Sequence, residues 1–489
     1  MKRQALYIRE LSRRVAVAAA VIIYMICPAS SGATGVHSEP DVADNDADVR
    51  TGVVEITSGN NNDEAEELEI MAHVPSFIRL QDNLIEFNGA DWSGLRMALE
   101  DCEADPFTIV HIGDSHIQAD FATGVIRELL QYEYGDAGRG VVTPLRLSGT
   151  NQPSDYYFTS RDKWKAQKLM KQPWKMSMGF TGTSISPVKT STNITIGTRV
   201  TDEDYDPFVS VTLFHHGRMK INSITDAEGK ALKYTDFPSR DYTQVVFDSE
   251  YTEVTINITV AADFALYGMS LSGERPGVFY HAIGNNGATY GVYNNIGTMG
   301  RGIAPLKPEL VIISLGTNEA FGKVNSATLY DNIDALVTDI RQANPEARIL
   351  LVTPMECQKS VYTTRNRQVK VPVKSSGKRS KKGSRRKTRT VNKQVRVRTG
   401  SYVTNTAVAT VRDVIKKYGA DNHVAVYDWY DVAGGDGAAA KWIANGLFGK
   451  DRVHHTVKGY NLQGRLLYEA LHKALGSDSA EGSEDVLVP

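Results

Sequence analysis

Residues 107–121 read FTIVHIGDSHIQADF. The first half is an apolar run, Phe107, Ile109, Val110 and Ile112, which stops at Gly113-Asp114-Ser115-His116; a helical pattern starts near Asp120. A buried strand that breaks at Gly-Asp-Ser and feeds a helix can hold a serine hydroxyl at the carboxyl edge of a parallel sheet. Open α/β sheets place their chemistry at that edge. Ser115 is therefore a candidate nucleophile. It needs a base, a group to orient the base, and donors for an oxyanion.

The surrounding pattern alternates helix and strand. Residues 92–103 space Trp92, Leu95, Leu99 and Cys102 as a helix, and residues 121–134 put Phe121, Val125, Ile126, Leu129 and Leu130 on one face. After residue 278 the same texture returns: strands over 310–315, 348–353 and 423–427, and helices over 327–343, 405–418, 437–445 and 458–475. This alternation predicts a parallel sheet in a three-layer α/β domain, built from residues 74–150 and 275–475. Between the two parts helical periodicity disappears. Short β-branched and aromatic runs (194–200, 208–214, 244–247, 253–260, 264–272) predict an all-β sandwich inserted over 151–274.

The chain has 489 residues, long enough for two or three modules, and its net charge of −2 gives no sign of nucleic-acid binding. Lys2, Arg3, Arg9, Arg13 and Arg14 precede an apolar run over 15–27 that is short for a membrane span, and Ser31-Gly32-Ala33 offers a cleavage site. Residues 1–33 therefore read as a signal peptide for export, 34–73 as an acidic unstructured tether, and 476–489 as a loose tail. Cys102 and Cys357 are expected at opposite sheet edges, too far apart for a disulfide. Residues 365–398 carry fifteen Lys and Arg and no acidic residue. They read as a solvated, disordered insertion, with attachment to an anionic envelope surface or to the acidic tether as the sharper alternative.

Three places supply what Ser115 needs. Asp451 and His454 lie three residues apart, so a carboxylate can fix an imidazole tautomer and leave its other nitrogen for the serine. Asn318, in Gly316-Thr317-Asn318-Glu319 after a strand, can donate an amide N–H to an oxyanion. The glycine-containing loop 283–289 lets a backbone N–H come close to the reacting oxygen. His116, Gln118 and His455 are candidate substrate contacts, and His111 reads as a core histidine. Asp114 reads as a turn-holder. Trp164 and Trp174 fit sugar stacking and core packing equally.

The order Ser115, Gly287, Asn318, Asp451-x-x-His454 resembles the SGNH (GDSL-like) hydrolase superfamily. Glu319 departs from it, standing where many members carry Asp. The resemblance implies a flavodoxin-like α/β/α hydrolase with a Ser115–His454–Asp451 triad. It implies an oxyanion hole of the Ser115 N–H, the Gly287 N–H and the Asn318 side chain, with no metal or cofactor. Gly-Asp-Ser-His-Ile-Gln-Ala-Asp and an inserted sandwich are similar to the peptidoglycan O-acetylesterases of Gram-negative bacteria, whose inserted module resembles a carbohydrate-binding domain. The expectation is an exported esterase of the periplasm or cell envelope acting on an acetylated glycan, with peptidoglycan first. The alternatives are an acetyl esterase for polysaccharides such as xylan, and a non-catalytic glycan-binding surface protein.

Overall fold

The computed structural model describes residues 74–199, 206–374 and 388–476. The signal-like segment, the acidic tether and nearly all of the C-terminal tail lie outside those residues.

The strand Phe107–Gly113 is buried at every position, the signature of a strand covered on both faces. Its two polar side chains do not contradict this. His111 lies 2.6 Å from both Tyr280 Oη and Ser314 Oγ, so its ring is satisfied inside the core, and burial pushes its pKa down to about 3. Phe107–Gly113 sits between Leu310–Ser314 and Val278–Gly284 in a six-stranded sheet. The order from one edge is Ile85–Glu86, Ala425–Tyr427, Arg348–Val352, Leu310–Ser314, Phe107–Gly113, Val278–Gly284. The last five run parallel, and Ile85–Glu86 closes the far edge antiparallel.

Numbered along the chain, the five parallel strands lie in the order 2-1-3-4-5, which is the flavodoxin arrangement. The crossovers reverse direction between strands Phe107–Gly113 and Leu310–Ser314, so a crevice opens there. The register places Gly113 opposite both Ser314 and Gly284. Three loops, after residues 113, 284 and 314, therefore leave the same edge at the same level.

Two groups of helices cover the sheet. Ser93–Glu100, Phe121–Tyr134 and Val457–Leu475 pack together, as do Tyr290–Asn294, Met299–Ile303, Ser326–Ala343 and Ala407–Asn422. Phe121–Tyr134 follows the predicted span. It buries Val125, Ile126, Leu129 and Leu130 as one stripe and ends at Gly135, whose φ of +99° a side chain would resist.

The inserted region forms a four-stranded and a seven-stranded sheet around a shared core that includes Ile194, Ile196, Val211, Leu213, Ile256 and Leu266. Its first strand lies outside the expected boundary. Gly140–Val142, read from sequence as part of the hydrolase domain, pairs with Ala265–Ser272 in the seven-stranded sheet. Only cross-strand pairing assigns so short a segment, and that is invisible in local sequence. A buried ion cluster ties the two modules: Asp120 accepts from Arg127 at 2.7 Å and Arg139 at 2.6 Å, and both arginines also pair with Asp155.

The reading of 365–398 as a disordered insertion needs correction over 365–374 and 388–398; residues 375–387 lie outside the described residues. Gln358–Lys374 and Thr388–Thr404 pair as an antiparallel ribbon, with Val371 opposite Val391 and Arg367 opposite Val395. Valine recurs at every second residue through 369–373 and 395–397, a strand period that the charge obscured. Cys102 and Cys357 are both buried and free.

Gly284 fixes how close the second strand's end can come to the serine turn. A Cβ there would lie 2.1 Å from the Gln118 backbone nitrogen and 2.4 Å from its Cα. Gly284→Ala should cost about 1–3 kcal/mol of stability through overpacking against backbone, read as a lower denaturant midpoint at unchanged m.

Candidate active site

Ser115 begins the short helix Ser115–Gln118 directly after the central strand. Gly113 makes the turn possible, because a Cβ there would lie 2.2 Å from the Ile117 side chain and 2.9 Å from Ser314 O. Asp114 caps the helix by accepting the His116 N–H at 2.9 Å.

The Ser115 hydroxyl lies 2.8 Å from His454 Nε2, and His454 Nδ1 lies 2.6 Å from Asp451 Oδ2. The other Asp451 oxygen accepts the backbone N–H groups of Val453 and His454, each at 3.0 Å. Arg452, between them, takes a left-handed φ of +61°, which makes room for both bonds. The sequence spacing of three residues thus closes into a compact turn that aims the imidazole at Ser115.

Electrostatics follow from this geometry. Burial opposes charge on Asp451, but the His454 hydrogen bond and the two N–H donors outweigh it and hold the carboxyl down at about 2. Burial also works against a charged His454; the Asp451 hydrogen bond and charge, with help from Asp114, overcome it and raise the imidazole above its ordinary value. Ser115, His454 and Asp451 thus form the relay a serine nucleophile requires.

The other candidates arrive differently. Gly287 lies in the loop after Val278–Gly284 with φ +81°, and a Cβ there would meet only Met170, at 3.5 Å, from the inserted domain. Among the described residues, no backbone acceptor takes the N–H of Ser115 or of Gly287. Asn318 reaches the same crevice, but its amide nitrogen already donates to Asp114 at 2.9 Å and Ala288 O at 3.0 Å. It must exchange one of these bonds to serve an oxyanion. Burial pushes Asp114 up to about 6, so the carboxyl that holds Asn318 titrates near neutrality. Glu319 lies behind this pair, accepts the Tyr290 N–H at 2.8 Å and is pushed up to about 7 by burial.

Of the three expected substrate contacts, Gln118 and His455 are buried and His116 is half-buried. Gln118 is only 5% exposed; its amide donates to Asn151 Oδ1 at 2.7 Å, and its oxygen accepts the Asn286 N–H at 2.8 Å. It ties the Gly287 loop to the serine turn. His455 is buried, with Nε2 3.1 Å from Met355 Sδ and its ring 4.9 Å from Trp442. His116 packs 5.1 Å from His454 and 5.4 Å from His455, with Tyr460 Oη 3.1 Å from Nδ1. Adjacency in sequence to Ser115 and His454 does not give a side chain's direction: Gln118 and His455 turn into the protein, while half-buried His116 packs beside the relay imidazole. Trp164 and Trp174 pack against the two cores.

A contact that sequence reasoning missed lies at the root of the ribbon. Gln358 N–H donates to Arg452 O at 3.0 Å, Arg452 Nη1 donates to Gln358 Oε1 at 2.8 Å, and the Arg452 guanidinium lies 4.2 Å from the Tyr402 ring centroid. The root of the ribbon that carries the basic segment therefore braces the turn that holds Asp451 and His454. Among the described residues no group of three or more His, Cys, Asp or Glu is arranged to hold a metal.

The GDSL-like lipase/acylhydrolase family model matches residues 222–462, which include Gly287, Asn318, Asp451 and His454 and begin after the Ser115 turn. The chain has an SGNH, GDSL-like hydrolase fold. A solved peptidoglycan O-acetylesterase shares it with a TM-score of 0.59 and 18% identity, covering 80% of this chain and 99% of that one. A family two carbohydrate esterase from Cellvibrio japonicus aligns at 10% identity and TM-score 0.26, over 65% of this chain and 98% of its own. A family 3 carbohydrate esterase from Talaromyces cellulolyticus aligns at 16% identity and TM-score 0.26, over 42% of this chain and 73% of its own. No curated protein matches the chain. Acylhydrolase chemistry is the function that this SGNH fold and its family match support.

In an NMR titration His454 should titrate above the ordinary imidazole value, and Asp451→Asn should move it down, because the raising carboxylate is then gone. An unchanged His454 in that variant would break the link between the two residues.

Proposed function

We propose that this chain is an exported serine esterase that removes O-acetyl groups from cell-wall glycan, with peptidoglycan the first substrate. The observation that carries the chemistry is the unbroken relay from Ser115 Oγ to His454 Nε2 at 2.8 Å and from His454 Nδ1 to Asp451 at 2.6 Å. The choice of glycan rests on likeness to a peptidoglycan O-acetylesterase, 99% of whose chain is covered. Export rests on the basic, apolar and small-residue pattern of residues 1–33.

In this mechanism His454 Nε2 takes the Ser115 proton as Oγ attacks the acetyl carbonyl carbon. Asp451 stabilises the imidazolium. The oxyanion develops among the Ser115 N–H, the Gly287 N–H and an Asn318 N–H turned from one of its resting acceptors. His454 returns the proton to the sugar oxygen as the C–O bond breaks, leaving an acetyl-Ser115 ester and a free glycan hydroxyl. Water, deprotonated by His454, then releases acetate.

The test is acetate release from O-acetylated peptidoglycan and from acetylated xylan, with Ser115→Ala as control. The wild type should deacetylate peptidoglycan faster than xylan, and Ser115→Ala should lose about 10³-fold or more in kcat. A protein that hydrolyses a simple acetyl ester but releases nothing from peptidoglycan would sink the substrate assignment. Because His454 must be neutral to accept the proton, kcat/KM should rise with pH through its raised pKa. In Asp451→Asn that limb should shift to lower pH while the maximal rate falls steeply.

A further inference from the structure

The part of the inserted module that reaches Gly287 carries a charge that the relay does not use. Strand Trp164–Lys168 runs into a turn over 168–171, where the Lys171 N–H donates to Lys168 O at 3.0 Å. This turn is pinned on both sides. The Leu169 N–H donates to Gly182 O at 2.8 Å, and Trp174 Nε1 donates to Leu169 O at 3.2 Å. The Gln167 amide donates to Lys171 O at 2.6 Å, and its oxygen accepts the Lys175 N–H at 3.1 Å. A turn held in this way presents its side chains at fixed places.

Met170 leaves the turn toward the oxyanion loop. It is 45% exposed, and its Cε lies 3.5 Å from where a Cβ on Gly287 would stand. Lys168, two residues earlier, is half-buried and donates to Gly149 O at 3.1 Å. Gly149 is followed by Thr150 and Asn151, whose side-chain oxygens each accept from both Gln118 and Asn286. Asn286 in turn precedes Gly287. The ammonium therefore stands at the far end of a short polar row that begins at the oxyanion loop.

The charge on Lys168 has no counter-charge. Its acceptor is a neutral carbonyl. Burial and the charge of Lys171 both push its pKa down, and no carboxylate among the described residues offsets them. The chain has no acidic residue between Asp162 and Asp202, and Asp162 is already engaged by Lys189 and Thr192. A half-buried cation in such surroundings has lost solvation that a bound anion would replace.

We infer that the turn over 168–171 is a specificity subsite for an anionic glycan: Lys168 receives a carboxylate of the chain, and Met170 lies against the sugar whose ester sits over Gly287. An ammonium on a four-carbon stem is a point charge that can follow a carboxylate over a range of positions. A thioether side chain adapts its packing to the C–H face of a pyranose ring. A neutral glycan would meet the thioether and leave Lys168 without its anion. The inference rests on the esterase reading of Ser115 for the ester. It adds that the inserted module selects for charge on the chain that carries the ester.

The test uses the full chain and three acetyl esters: O-acetylated peptidoglycan fragments, which carry carboxylates, acetylated xylo-oligosaccharides free of uronic acid, and p-nitrophenyl acetate. Wild type should prefer the anionic to the neutral glycan in kcat/KM, and the preference should narrow as salt rises. Lys168→Met removes the charge and should lower the anionic-to-neutral ratio about tenfold, whereas Lys168→Arg should hold it within about threefold of wild type. Met170→Ala should lower both glycan rates about threefold relative to p-nitrophenyl acetate. Ratios taken on one preparation are insensitive to misfolding, which lowers all rates together. The same preparations are titrated calorimetrically with peptidoglycan fragments stripped of O-acetyl groups, and Lys168→Met should raise Kd about tenfold. A Lys168→Met chain with the wild-type ratio or the wild-type Kd would overturn the inference. So would a wild-type preference that salt leaves unchanged, or a Met170→Ala chain that treats all three esters as wild type does. If wild type hydrolyses none of the esters, the esterase reading of Ser115 falls, and the change in Kd alone decides the subsite.

Discussion

Ser115 and His454 stand 339 residues apart and meet at 2.8 Å. Nothing local produces that meeting. It depends on a parallel sheet whose neighbouring strands end level, so that Gly113, Gly284 and Ser314 share one rung and release their loops into one crevice. The helix Val457–Leu475 then packs on Phe121–Tyr134, which follows the serine turn. That packing brings the turn before the last helix back over the start of the first. The burial of Phe107–Gly113 on both faces is what makes this frame rigid, and a slip of one residue in its register would carry Ser115 away from the imidazole.

The relay and the frame were legible because each has a strong local signature. Ile109, Val110 and Ile112 form a run that only a doubly covered strand or a buried helix accommodates, and Gly113-Asp114 ends it. Asp451-x-x-His454 is a one-turn spacing, and the structure closes it as such. What could not be read was direction and long-range pairing. Gln118 and His455 sit beside reactive residues in sequence, yet a side chain one or three positions from a nucleophile on a tight turn points inward as readily as outward. The engagement of Asn318 by Asp114 and Ala288 O involves three segments, and no spacing rule joins them.

The ribbon shows a different limit. Charge density is a compositional signal, and it outweighed a period-two pattern in Val369, Val371 and Val373 and in Val395 and Val397. Pairing satisfies the inward-facing backbone groups of Gln358–Lys374 and Thr388–Thr404, and the ribbon's root is fastened by Gln358 and Tyr402 to Arg452. A surface feature that looked detachable in sequence is thereby joined to the turn that aims the imidazole. The left-handed backbone of Arg452 costs about 1 kcal/mol or more for a residue with a side chain, and the grip from the ribbon helps offset it.

The place where the sandwich enters and leaves the hydrolase domain has a kinetic meaning. Phe107–Gly113 and Val278–Gly284 are adjacent in the sheet, yet the whole inserted module lies between them in the chain. Gly273 N–H bonds to Ala137 O at 2.9 Å, so the module's exit lies against its entry. An unfolded insertion would make the pairing of those two strands a long loop closure, with its entropy unrewarded until the last contact forms. A folded one holds its own ends together and shortens the effective loop to the helical crossover between residues 113 and 137 and the few residues from 273 to 278. The least costly route therefore assembles the sandwich first, with Gly140–Val142 already stitched to Ala265–Ser272, and lets it deliver the second strand to the first. On this route a module that carries none of the three relay residues decides when the crevice around Ser115 can form.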